Sequence, residues 1–175
     1  LSIDLDGNDY WIWDQIDAVK PTIIICEYNA VFGDINSITV PYTDEFTRKK
    51  SHFSNLYFGA SLPALIHLAE EKGYTFLGTN SSGCNAFFVI NDVAHHVLEK
   101  IKGPVSFPSK FREAQNEFGE LLYLAGIERF EKIKHMDVFD LETKKTKKLG
   151  EFEAIYSEEW LNGLPKLHYF NSQLS

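Results

Sequence analysis

The sequence predicts an α/β fold: a mixed sheet that opens with a strand–helix–strand unit and closes in an antiparallel hairpin, followed by a C-terminal helical and β-hairpin extension. Three observations predict it. Thr22 to Glu27 is a β-branched, nearly unbroken apolar run entered from a helical stretch, the mark of a parallel strand buried on both faces. Ser61 followed by Pro63 opens a second amphipathic helix, because a serine caps and a proline is pre-shaped for the first turn. Two apolar runs, 74–80 and 85–91, are separated by Ser81-Ser82-Gly83-Cys84, which is hairpin spacing.

In order, Leu1 to Leu5 reads as a short strand ending at Asp6-Gly7. Asn8 or Asp9 caps a helix over 10–18, with Ile12, Trp13 and Ile16 on one face, and Pro21 stops it. Strands 1–5 and 22–27 are expected to be parallel neighbours. Residues 29–60 form a long excursion carrying the basic run Arg48-Lys49-Lys50; excursions of this length tend to be lids or binding loops. Leu62, Leu65, Ile66 and Ala69 stripe the next helix, which Gly73 ends. Residues 1–92 thus form one unit and 93–175 an extension packing on it. In the extension a helix is expected over 93–102 and another over 111–124, capped by Ser109. Val138–Leu141 is expected to pair with Leu149–Ile155 across a lysine-rich turn at 144–148. Trp160, Leu161, Leu164 and Tyr169 give the tail a docking character, which leaves room for a homo-oligomer.

The charge is uneven. Residues 1–47 carry nine acids against the single base Lys20, while the rest is balanced. An acidic opening segment repels phosphates, so nucleic acid is not an expected partner. A cation, a metal or a polar neutral substrate is tolerated there. No run approaches the ~20 apolar residues of a membrane helix. The two cysteines, Cys26 and Cys84, have neither metal nor disulfide spacing, in keeping with a reducing, cytoplasmic setting. The opening in a strand at Leu1, with no leader-like segment, suggests a piece of a longer protein.

Asp4-Leu5-Asp6-Gly7-Asn8-Asp9 is the sharpest motif. It lies at the carboxyl end of a predicted strand, where open α/β sheets bind ligands. Asp4 and Asp6 alternate onto one side, where they can act as a base or hold a divalent metal. Asn8 and Asp9 are either helix caps or substrate contacts. Glu27 and Asn29 close the second strand, so Glu27 should emerge beside Asp6. An acid ending an apolar strand needs a partner. In the long excursion His52 is the candidate general base, and Tyr57 a candidate substrate contact. The catalytic expectation is therefore Asp4, Asp6 and His52, gathered with Glu27 in one cleft.

IDLDGNDYWIW, PTIIICEYNAVFG, LYFGASLPAL and KGYTFLGTNSSGCNAFFV, in this order over residues 1–92, resemble the later part of FkbM-type S-adenosylmethionine-dependent methyltransferases. The resemblance implies a Rossmann-like sheet represented by its fourth to seventh strands, with the last antiparallel. It also implies S-adenosylmethionine as cofactor and methyl transfer to a hydroxyl of a carbohydrate or other small-molecule acceptor. The family's glycine-rich cofactor turn after the first strand has no counterpart in this sequence, so the cofactor-binding half is expected to lie outside it. Two other readings use the same residues. One is a non-catalytic methyltransferase-like binding or assembly module. The other is an aspartyl phosphatase of the haloacid dehalogenase type, with Asp4 as nucleophile and Asp6 as acid–base, although the late Gly-Asp-x-x-x-Asp element is absent.

Overall fold

The computed structural model describes residues 1–168. Its main sheet has four strands: β1 (Ser2–Ile3), β2 (Ile23–Glu27), β4 (Tyr74–Thr79) and β5 (Asn85–Ile90), in the order β1-β2-β5-β4. β1 and β2 are parallel, with Ile3 opposite Cys26. β5 is antiparallel to both β2 and β4. β1, β2 and β4 therefore point one way and β5, inserted between β2 and β4, the other. The expected parallel pair and the expected hairpin are both present.

Helix α1 (Asp9–Gln15) connects β1 to β2, and α3 (Leu62–Glu71) precedes β4. The Ser61 hydroxyl accepts from Ala64 N at 3.3 Å and donates to Asn36 O at 2.7 Å, so one side chain caps α3 and anchors the long excursion. Gly73 ends the helix with φ of +80°, a conformation that costs other residues dearly. Trp13, Leu65, Leu68, Ile24, Cys26 and Phe88 form the core under this face.

The second strand was expected to be buried on both faces. It is not: Ile24 and Cys26 are buried, while Ile23 is half exposed at 50%. Ile24 and Cys26 share their core with α1 and α3, whereas Ile23 points away from it.

The long excursion holds more structure than its sequence signals. β3 (Ile38–Thr39) and α2 (Arg48–Ser51) lie within it. β3 pairs with β7 (Asp137–Asp140), and β7 with β8 (Lys145–Lys148), in a three-stranded antiparallel sheet. A second core, including Phe32, Ile38, Leu56, Ile133, Val138 and Leu149, joins the excursion to the extension.

Three expectations for the extension need correction. The helix after Ile90 is α4 (Asn91–Leu98), a little earlier than read. Residues 111–124 are not helical. The Asn116 carboxamide accepts from Phe118 N and Glu120 N, both at 3.0 Å, and Gly119 has φ of +80°; this local turn outcompetes helical periodicity. The hairpin pairs 137–140 with 145–148, so Lys145, Lys147 and Lys148 are strand while Lys144 stays in the turn with φ of +55°. Asp140 fixes that register: its carboxylate accepts from Glu142 N and Thr143 N and meets Lys147 Nζ at 3.0 Å. β6 (Val105–Ser106) pairs with β9 (Lys166–Leu167). Between them come α5 (Ile127–Ile133) and α6 (Glu158–Leu161). Trp160 is buried, while Leu161 and Leu164 are exposed; Tyr169 lies outside the described residues. Among the described residues no helix is long and apolar enough to cross a membrane.

Candidate functional site

At the carboxyl edge of β1 and β2 lies a cavity of about 140 Å³, lined among others by Asp4, Glu27, Asn29, Arg48, Cys84 and Arg129. The edge is built by register. Ile3 pairs with Cys26, so Asp4 and Glu27 leave the sheet together, and Glu27 stands opposite Asn85 of β5. The roof comes from the extension: Ser109, Phe111 and Glu113. Gly83, at φ of +75°, lets Pro108 approach so closely that no Cβ would fit, and this brings the roof down onto the hairpin.

Glu27 is the electrostatic centre of the cavity. Burial, and then the negative charge of Asp4, push its carboxyl up to about 8, with Arg48 opposing and Asp9 and Asp6 adding to the rise. Its Oε2 is buried without a hydrogen-bond partner. Arg129 is 5% exposed; its Nη2 donates to Ser109 O at 3.0 Å and its Nη1 to Phe111 O at 3.4 Å. Its Nε is a second buried polar atom without a partner.

Asp6 lies elsewhere. β1 stops at Ile3 and Asp6 has φ of +55°, so strand alternation does not carry it beside Asp4. It lines a neighbouring cavity of about 360 Å³ with Leu5, Phe46, Thr47 and Asn55. Arg48 and Glu113 line both cavities. The Arg48 guanidinium donates to Asp6 at 3.0 Å, to Glu113 at 2.7 Å and to Asn55 O at 2.7 Å, and it stacks 3.7 Å over the Phe58 ring.

The other candidates are corrected by their partners. Asp9 is fully buried and accepts from Leu5 N at 2.8 Å and Gly7 N at 2.9 Å, so it braces the loop rather than reaching a ligand. Gly7 packs so closely on the Phe46 ring that no Cβ would fit there. Asn8 bonds Thr43 O, and as N-cap of α1 it makes no side-chain cap bond. Asn29 lines the inner cavity, yet its carboxamide is committed to Leu56 O, Phe58 O and Val31 N. The Tyr57 hydroxyl donates to Asp137 O, tying the excursion to β7. His52 lines neither cavity. Its Nδ1 faces Ser54 Oγ at 2.7 Å, its ring packs on Phe53 and His135, and burial holds it below the usual histidine value. Cys84 lines the inner cavity, where burial raises its thiol.

Asp4 and Asp6 face different cavities, which removes the geometry needed for a shared metal or for a nucleophile and acid–base pair. Among the described residues no three of His, Cys, Asp and Glu gather in a metal-holding group. The inner cavity is also smaller than the ~300–1,000 Å³ of sites for drug-sized ligands. It admits a fragment the size of one ring or one amino acid. The residues present do not form a pocket for a whole S-adenosylmethionine.

Sequence reading missed Arg48, Glu113 and Arg129. Arg48 was visible only as part of a basic run; the other two reach the cavity through long-range packing that no local pattern encodes. No family model matches the chain, and no curated protein or solved structure matches it either.

Proposed function

We propose that these residues are the acceptor side of an S-adenosylmethionine-dependent O-methyltransferase of the FkbM kind, working in the cytoplasm on a small-molecule or carbohydrate hydroxyl. The cofactor is held by sequence outside this chain. One observation carries the reading. Three co-directional strands and an antiparallel β5 inserted between β2 and β4 bring Asp4, Glu27 and Asn85 to one edge, with a small polar cavity above them. This order and these directions support the reading, because the family resemblance implies such a sheet half with its ligand at that edge. In this reading Asp4 and Glu27 orient the acceptor, and Glu27 Oε2 can hold a proton from it. Arg48 ties the edge to its roof.

Titration calorimetry tests the division of labour. S-adenosylmethionine should bind this 175-residue chain weakly or not at all, whereas a longer parent chain should bind it and transfer a labelled methyl group to hydroxylated acceptors. Tight binding to the short chain would require a different cofactor site. A parent chain that neither binds the cofactor nor transfers methyl would remove the reading. The small inner cavity favours one alternative in that event: a binding module without catalysis.

A further inference from the structure

We propose that the inner cavity binds a small zwitterion, its ammonium group against Asp4 and Glu27 and its carboxylate against Arg129. This rests on the cavity being the acceptor site and adds the charge pattern of the acceptor, an amino acid or a molecule carrying that unit.

The two walls carry opposite charge without pairing. Asp4 and Glu27 stand on the sheet edge, and Arg129 lines the same cavity from α5. The acids that act on Glu27 are Asp4, Asp9 and Asp6, with Arg48 the only opposing base. Arg48 is itself committed to Asp6 and Glu113. Arg129 instead spends its two Nη atoms on Ser109 O and Phe111 O. No ion pair joins Glu27 to Arg129 among the described residues, and each keeps one buried polar atom without a partner, Glu27 Oε2 and Arg129 Nε. Buried polar atoms are ordinarily satisfied. A ligand with a donor cation at one end and an acceptor anion at the other satisfies both. A cation alone leaves Nε bare, and an anion alone adds charge beside Asp4. The volume of about 140 Å³ fits an amino-acid-sized molecule. An ammonium group at Glu27 also offsets the charge of Asp4, so the carboxyl, otherwise pushed up to about 8, gives up its proton on binding near neutral pH.

The probes are β-alanine and γ-aminobutyrate as zwitterions, propylammonium and propionate as single-charge halves, and propanol as the neutral control. Calorimetry on the 175-residue chain at pH 7, in buffers of differing protonation enthalpy, reads affinity and proton release together. A zwitterion should bind at least tenfold more tightly than either half, with release of up to one proton. Glu27→Gln should abolish the release and weaken binding. Arg129→Lys, if folded, should reduce the zwitterion to the affinity of propylammonium; if it does not fold, the comparison of probes on the unaltered chain still decides. The proposal is overturned if propanol or propionate matches the zwitterions, if they bind without proton release, or if none saturates at millimolar concentration. No methyl donor is used, so zwitterion binding without methyl transfer by the parent chain would sink the enzymatic reading alone. Methyl transfer without zwitterion binding would sink only this one.

Discussion

Arg48 and Glu113 meet at 2.7 Å, and this pair joins the long excursion to the irregular segment that roofs the inner cavity. The Glu113 side chain is 44% exposed, so the contact lies where water screens it; exposed pairs are worth about 0–1 kcal/mol. Glu113→Gln should therefore leave the melting temperature almost unchanged. Amide exchange across residues 107–115 should quicken all the same, because the roof loses a tether rather than the fold its core. Unchanged exchange would show that Gly83 and Pro108 hold the roof unaided.

Glu27 makes stability depend on pH. Its carboxyl titrates from 4.5 in the unfolded reference and near 8 in the folded chain. Below about 4.5 both states keep the proton. Between 4.5 and 8 the unfolded chain ionises while the folded one holds on, so folding stability falls as pH rises through that window. Glu27→Gln should remove the decline, stabilising the chain near pH 8 by on the order of 2 kcal/mol once partial exposure is allowed for. Urea unfolding at pH 5 and pH 8 reads the difference, and equal gains at both values would mean that the carboxyl is not perturbed.

Asp34 is a structural hub. Its side chain is 1% exposed and meets Lys166 at 2.8 Å, while Ser157 donates to it from both N and Oγ. Asp34→Ala leaves a partly buried ammonium and two donors without an acceptor, at a cost of about 3–5 kcal/mol. The loss should appear as a lowered denaturation midpoint with little change in slope. A drop below 1 kcal/mol would show that water replaces the carboxylate freely.

Asp9→Ala should cost about 1–3 kcal/mol, since it strips the acceptors from the Leu5 and Gly7 amides. Proton NMR should show both amides exchanging faster. Asp6→Ala, by contrast, removes an exposed carboxylate from Arg48 and should change stability by less than ~1 kcal/mol. Reversal of this order would exchange the structural and surface roles of the two aspartates.

What could be read from the sequence was what short-range chemistry dictates. The Ser61–Pro63 helix start, the parallel β1–β2 pair and the hairpin around Ser81–Cys84 each follow from caps, β-branching and turn residues within a few positions. So did the gathering of Asp4 and Glu27 at one edge, because parallel register alone places them. The position of Asp6 was not legible, since its left-handed backbone breaks the alternation and Arg48 then captures it. His52 looked available and is buried, because His135 packs on its ring from the extension while Phe53 stacks beside it. The helix expected over 111–124 failed to the Asn116 turn, and Lys145, Lys147 and Lys148, expected in a turn, became β8 because the turn closes just after Asp140.

β8 forms an outer strand of its sheet, and three of its four residues are lysines: Lys145, Lys147 and Lys148. A bare strand edge invites a second chain to hydrogen-bond alongside it, and like charges on both chains oppose that approach. Replacing Lys145, Lys147 and Lys148 by glutamine, which erases those charges while leaving the backbone edge intact, turns a repelling border into an adhesive one. The substituted chain should scatter light at concentrations where the unsubstituted chain does not.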